Sequence, residues 1–308
     1  MSNRKISRRT FVAGAAAGAL AVPALRARAF FPTQQSPDIA VAHGADAAAN
    51  TRAAVEALGG MGAFVSAGQT VALLPNAQGS HPGTSTDPAI VRAVVDMCKE
   101  AGATEVRWLT WLPERVWDRA NLSSNFEGSG AVLVYSNHED PELWETFEVP
   151  RGVILERIRI YKALYEADVL IGMPIVKDHI GSRFTGTLKN YMGASHPEDN
   201  RLFHPTFEGE DIVRMEQCIA DLNTVARPAD LYVVDAMVIL ASNGPFGPGD
   251  IANPQSVVAG TDRVAVDSYC ATILGLGGPE VHMIRLAHEH GLGQIDLSNL
   301  NISEIETG

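Results

Sequence analysis

The chain has 308 residues, 46% of them hydrophobic and 19% charged, the balance of a folded globular protein and not of a disordered one. It carries 24 Lys plus Arg against 36 Asp plus Glu, a net charge of −12. Residues 1–29 hold six of the cationic side chains and no acid, so the remainder stands at 18 against 36, a net −18 that repels phosphate backbones and excludes nucleic acid as a partner.

The first segment reads as an address. Arg8-Arg9 precede Thr10-Phe11-Val12, an Ala- and Gly-rich run follows to Leu25, and Ala27-Arg28-Ala29 forms a small-x-small cleavage site. The apolar run of roughly 13 residues is shorter than the ~20 that span a bilayer, so no stable membrane span is expected. The paired arginines resemble a twin-arginine signal. This predicts export to the periplasm or beyond, with a mature start near Phe30 and a single α/β domain over 30–308.

Residues 30–45 read as an extended leader. A helix is predicted over 46–58, closed by Gly59-Gly60, and a strand over 70–74, ended by Pro75-Asn76. The Gly/Ser/Pro/Thr-rich stretch 76–86 is a loop. A helix follows over 87–101, with Thr86 or Asp87 as cap and Pro88 in its first turn, and then a strand over 105–110. This strand–helix–strand rhythm is that of a parallel sheet. Further on come a helix over 113–121, a strand over 131–136, one or two strands within 147–160, a short helix over 161–166 and a buried strand over 168–173. A helical piece spans 188–192, and 196–209 is a polar loop. Ile212, Met215, Ile219 and Leu222 fall at helical spacing within a helix over 210–225. Strands over 231–235 and 256–259 flank a Gly/Pro loop, and helices over 263–274 and 280–290 close the series. The fold class is α/β, an open and mainly parallel sheet flanked by helices, with loop insertions.

Open parallel sheets bind ligands beyond the carboxyl ends of their strands, where loops and helix N-termini converge. The polar residues that follow predicted strands are therefore the candidates: Asn76, Lys177, His179, Asp235 and Asn243. The densest stretch, GMPIVKDHIGSRFTGTLKNYMG (172–193), places Lys177, His179, Arg183 and Lys189 among four glycines in an otherwise acidic protein. Glycines let backbone amides approach a ligand, the next helix presents free N–H groups, and Thr185 and Thr187 add hydroxyls. The pattern points to a small anionic ligand, with salt bridges and helix caps as the plain structural alternative. His179 is the proton-moving or metal-ligating candidate, since imidazole titrates near neutrality. Asp235 ends an apolar strand, where a carboxylate needs a partner. Asp267 needs a partner for the same reason. Asp221 and Asn223 suit capping as well as the rim, and His196, Asp199 and His204 are a reserve set in the polar loop. His282, His288 and His290 are too poorly spaced to share a metal.

Cys98, Cys218 and Cys270 are isolated, with no C-x-x-C pair, so no Cys-ligated iron–sulfur cluster and no disulfide framework is expected. The sequence identifies neither a cofactor nor a metal. Walker A, G-x-S-x-G and G-x-G-x-x-G patterns are all missing.

Several ordered blocks resemble the DUF362 family: Leu73-Leu74-Pro75-Asn76, TSTDPAIV (84–91), ADVLIGMPIVKDH (167–179), TGTLKNYMG (185–193), CIADLN (218–223), LYVVDA (231–236), VAGTDRVAVD (258–267) and His288 to Leu292. Lys177 and His179 match its Lys-x-His pattern, and Lys189-Asn190 its Leu-Lys-Asn. Leu74 stands where the family has Lys before Pro-Asn, which removes one anion contact. The resemblance implies a family of undefined activity, at times joined to ferredoxin-like modules, and hence a redox partner protein. The expectation is a rim pocket built from Asn76, Lys177, Thr185, His179, Lys189, Asn190, Asp235 and Asn243. It would serve either a redox-linked enzyme or a non-catalytic binding or maturation factor.

Overall fold

Continuous apolar runs become strands here because helices cover both faces of one sheet. The structure, a computed structural model, describes residues 36–77, 79–113, 126–204 and 211–308. The predicted signal segment lies outside the described residues, as does all but the first residue of the helix predicted over 113–121. Residues 36–308 form one compact unit.

The strands are β1 (Ile39–His43), β2 (Thr70–Pro75), β3 (Glu105–Thr110), β4 (Val132–Tyr135), β5 (Trp144–Glu148), β6 (Arg157–Tyr161), β7 (Val169–Met173), β8 (Leu231–Ala236), β9 (Ile239–Leu240), β10 (Ile251–Ala252), β11 (Ser256–Gly260) and β12 (Ile302–Glu306). The described helices are α1 (Ala47–Ala57), α2 (Pro88–Glu100), α3 (Ala163–Glu166), α4 (Thr187–Asn190), α5 (Pro197–Phe203), α6 (Asp211–Asn223), α7 (Arg263–Ile273) and α8 (His282–Glu289). Eight strands form the main sheet in the order β12-β1-β11-β8-β7-β2-β3-β4. All its pairings are parallel except those of β11, which runs against both β1 and β8. No helix lies between β8 and β11 to carry the chain back, so the return is antiparallel. Two small antiparallel pairs, β5–β6 and β9–β10, stand apart.

Alternate residues of each central strand enter opposite cores. In β1, Ile39 and Val41 join the core shared with α6, α7 and α8, while Ala40 and Ala42 join the core under α1 and α2. The helix α2 forms as expected: the Asp87 carboxylate accepts the Ala89 N–H and Pro88 opens the first turn. Its buried stripe of Ile90, Val91, Val94, Val95 and Met97 packs on the sheet, each large aliphatic contributing about 1.5–3 kcal/mol by leaving water.

Three expectations are corrected. The leader contains β1, an interior strand, because its short apolar run is completed by pairing with β11 and β12. The polar loop contains α5, with His196 as cap and Pro197 in its first turn. The edge strand β12 was not expected, since Ile302 and Ile305 stand three apart, show no two-residue alternation, and only partly bury against opposite cores.

The chain moves from β2 through α2 to β3 and β4, then returns through β5 and β6 to β7 on the other side of β2. The direction of winding therefore reverses between β2 and β7, and a crevice opens beyond their carboxyl ends. Among the described residues no helix is long and apolar enough to cross a membrane.

Candidate functional site

A cleft of about 810 Å³ occupies that crevice. Leu74 to Ala77 at the end of β2 and Thr110 to Leu112 at the end of β3 line it on one side. Its walls come from the loop after β7, from α4 and the turn behind it, from the end of α5, and from residues 243–247.

The loop after β7 is closed on itself, with the Thr185 N–H donating to the Lys177 carbonyl at 2.9 Å. Inside it, the Gly181 N–H donates to His179 Nδ1 at 3.0 Å. With Nδ1 accepting, the neutral ring carries its proton on Nε2. The wall at 243–247 locks to the same loop: the Gly244 N–H donates to the Asp178 carboxylate at 2.9 Å, and the Ile180 N–H to the Gly244 carbonyl at 3.1 Å. A Cβ at Gly244 would overlap the Asp178 carbonyl, so only glycine allows this approach.

The four-residue helix α4 is too short to hold itself and is pinned by its neighbours. Asp267 of α7 accepts the Thr187 N–H at 2.5 Å and the Leu188 N–H at 3.0 Å. Asn190 donates to the Leu74 carbonyl at 2.8 Å, and Asn223 to the Leu188 carbonyl at 2.9 Å. The expectation that this helix start offers free amides to an anion is thereby corrected: a buried carboxylate already holds them. Burial pushes the Asp267 carboxyl up to about 7, against those same N–H donors, which favour its charged form. Thr187 is likewise engaged, its hydroxyl donating to the Arg263 carbonyl at 2.7 Å.

Six of the eight expected site residues line the cleft: Asn76, His179, Thr185, Lys189, Asn190 and Asn243. Lys189 is 8% exposed, and the Met192 thioether, 3.3 Å from Nζ, is a weak acceptor. Among the described residues no carboxylate lies within ion-pair distance of it, and burial lowers its ammonium to about 8. The His179 and His204 rings stack with centroids 6.4 Å apart. Burial first, then the Lys189 charge, drives both imidazoles down, His204 to about 4 and His179 further. Thr185 Oγ1 and Asn76 Oδ1 are buried without a hydrogen-bond partner among the described residues. Among the described residues no Asp or Glu lines the cleft.

Lys177 and Asp235 stand apart from the lining, against expectation. Lys177 is fully buried, with Nζ donating to the Thr84 carbonyl at 2.8 Å, and burial lowers it to about 7. Asp235 accepts the Asp87 N–H at 2.7 Å and the Met237 N–H at 2.8 Å, so it anchors the start of α2 to the end of β8. Burial pushes its carboxyl up to about 7. In the reserve set only His204 reaches the cleft. His196 caps α5 and donates from Nε2 to the His138 carbonyl, while Asp199 pairs with Arg159 at 2.6 Å. Asp221 gathers the N–H groups of Val153, Ile154 and Leu155 on one carboxylate oxygen. The apolar walls were not anticipated: Trp108, Trp111, Met192, Phe203, Met215 and Phe246. The aromatic residues around the end of β3 were the available signal.

The described residues do not fit a metal. No group of three or more His, Cys, Asp or Glu converges among them, and Cys98, Cys218 and Cys270 are buried singly in α2, α6 and α7. Burial pushes the Cys98 and Cys218 thiols up to about 12, away from the thiolate a cluster requires.

A thylakoid-associated protein of Synechocystis sp. is 28% identical over 242 residues, covering 74% of this chain and 70% of that protein. Among solved structures, the lactate racemase apoprotein from Thermoanaerobacterium thermosaccharolyticum matches with a TM-score of 0.45 at 13% identity, over 84% of this chain and 58% of that one. A Thermotoga maritima protein matches with a TM-score of 0.38 at 15% identity, over 62% and 51%. The chain thus spans little more than half the length of these two solved structures. A family model described as a domain of unknown function, DUF362, matches residues 71–272. That stretch runs from β2 into α7 and takes in every residue that lines the cleft, leaving out β1 and β12 at the far edge of the sheet, and the chain belongs to the DUF362 family.

Proposed function

We propose that this protein binds a small anionic molecule in the cleft beyond β2, β3 and β7, after export through the twin-arginine pathway. The observation that supports this most directly is Lys189, an amine buried in a cleft that no carboxylate lines among the described residues, on a chain with 36 acids. A buried cation is costly unless paired, and an incoming anion supplies the missing partner. His179 Nε2–H would donate a second charge-assisted bond, and Asn76, Thr185, Asn190 and Asn243 would orient the ligand.

Binding is favoured over acid–base catalysis by the His179 ring, whose Nδ1 is engaged by a backbone amide and whose Nε2 carries the proton. That ring donates but does not accept toward the cleft. A carrier or maturation role suits this arrangement, and Lys189 is the lining group that would exchange a proton if a reaction occurs.

The test is thermal denaturation of the exported protein with sulfate, phosphate and simple carboxylates, for wild type and Lys189→Met. At a hundredfold excess over Kd an anion stabilises by about 2.7 kcal/mol, a shift of several degrees. That shift is expected in wild type and lost in the variant. Equal shifts in both would remove the basis of the proposal. For export, Arg8→Lys with Arg9→Lys is expected to leave uncleaved protein inside the cell. Export of the double variant at the wild-type level refutes the twin-arginine reading.

A further inference from the structure

We infer that the occupant of the cleft is an amphipathic anion, with a single carboxylate, phosphate or sulfonate head and an aromatic or otherwise apolar body. The inference rests on the anion reading above and names the class of molecule.

Size is the first argument. The cleft holds about 810 Å³, whereas a water molecule takes ~30 Å³ of liquid. An inorganic anion beside Lys189 would leave most of that space to water lying against apolar walls. Clefts of this size accept organic ligands with tens of heavy atoms.

The second argument is how polarity is distributed. The cationic and donor groups are deep: Lys189 is 8% and His179 5% exposed. The apolar walls continue outward to Ile180 and Phe246, which line the same cleft and are 68% and 59% exposed. Large apolar side chains facing water at the mouth of a cleft that holds a buried cation mark a surface that a ligand covers. Trp111, half-buried in the lining, adds a flat face suited to an aromatic body. Two buried polar atoms without partners among the described residues, Thr185 Oγ1 and Asn76 Oδ1, belong to the lining. The hydroxyl can donate to the anionic head, and the amide oxygen can accept from a hydroxyl or amine on the ligand.

Three probes separate head from body: anilinonaphthalene sulfonate, which has both; N-phenylnaphthylamine, the same rings without the charge; and sulfate, the charge without the rings. Fluorescence titration and competition are carried out on the folded, exported protein. The sulfonate is expected to bind once per chain, about tenfold or more tighter than either partial probe. Lys189→Met is expected to weaken the sulfonate about tenfold and leave N-phenylnaphthylamine within about twofold. Phe246→Ser alters an exposed position without threatening the fold and is expected to weaken both aromatic probes. If sulfate binds as tightly as the sulfonate, or if Phe246→Ser changes neither aromatic probe, the inference of an apolar body is overturned and the anion reading stands. If the sulfonate binds no better than N-phenylnaphthylamine and Lys189→Met binds it as wild type does, both readings fail.

Discussion

Replacing Lys189 by Met removes a charge that the fold holds out of water with no acid beside it among the described residues, and the consequence can be worked through. Burial lowers the ammonium from 10.5 to about 8. At roughly 1.4 kcal/mol per tenfold change in protonation, this costs about 3 kcal/mol when the folded protein keeps the proton. Below pH 8 both folded and unfolded chains are protonated at this site, so the full cost is present. Between about pH 8 and 10.5 only the unfolded chain holds the proton, so wild-type stability climbs with pH. Met fills similar volume with no charge. The ligand-free variant is therefore expected to be more stable than wild type at pH 7, by up to about 3 kcal/mol, with the gap closing toward pH 10.5. Lys177 titrates in an overlapping range but is common to both proteins and largely cancels in the difference. Urea denaturation of both proteins at pH 7, 9 and 10.5 measures the effect. A variant less stable than wild type at pH 7, or a gap that ignores pH, would refute the account of Lys189 as an unpaired buried cation. A gain in stability together with a loss of anion binding is the signature of a functional charge.

Anion affinity is expected to fall as pH rises above about 8, where Lys189 gives up its proton, and His179 is expected to contribute no step between pH 5 and 7.5. An inflection near 6.5 that disappears in His179→Ala would contradict this, since that ring is held neutral far below its ordinary value. Asp267→Asn keeps one acceptor and turns an amide toward the other backbone N–H. It is expected to lose about 1–3 kcal/mol of stability and to weaken anion binding by releasing α4, and unchanged binding argues that α4 is held otherwise. Asp221→Ala strands the three N–H groups of residues 153–155, and a loss of about 3 kcal/mol or more in urea denaturation is expected, with anion binding intact in the folded fraction.

Much of the cleft was legible from residue types placed after strands. Asn76, the 179–190 stretch with His179, Thr185, Lys189 and Asn190, and Asn243 stand far apart in the chain, and the switch between β2 and β7 brings these segments to one rim. Lys177 and Asp235 carry the same sequence signal as the lining residues and do not line the cleft. Backbone groups nearby compete with the cleft for a buried ammonium or carboxylate. Asp235 found its partners on Asp87 and Met237, and Lys177 found the Thr84 carbonyl.

By itself the sequence determined the α/β class, the capped helix after Asp87, the buried parallel strands and the electropositive character of residues 177–189. Local periodicity, capping chemistry and charge decide these, and each acts over a few residues. Only the tertiary structure decided that β1 is an interior strand, that β11 runs backwards, and that Asp267 occupies the start of α4. It also decided that aromatic residues from β3, α5 and the 243–247 loop wall one cleft with Lys189. These depend on which distant segments share hydrogen bonds and buried space, information that no stretch of chain carries alone.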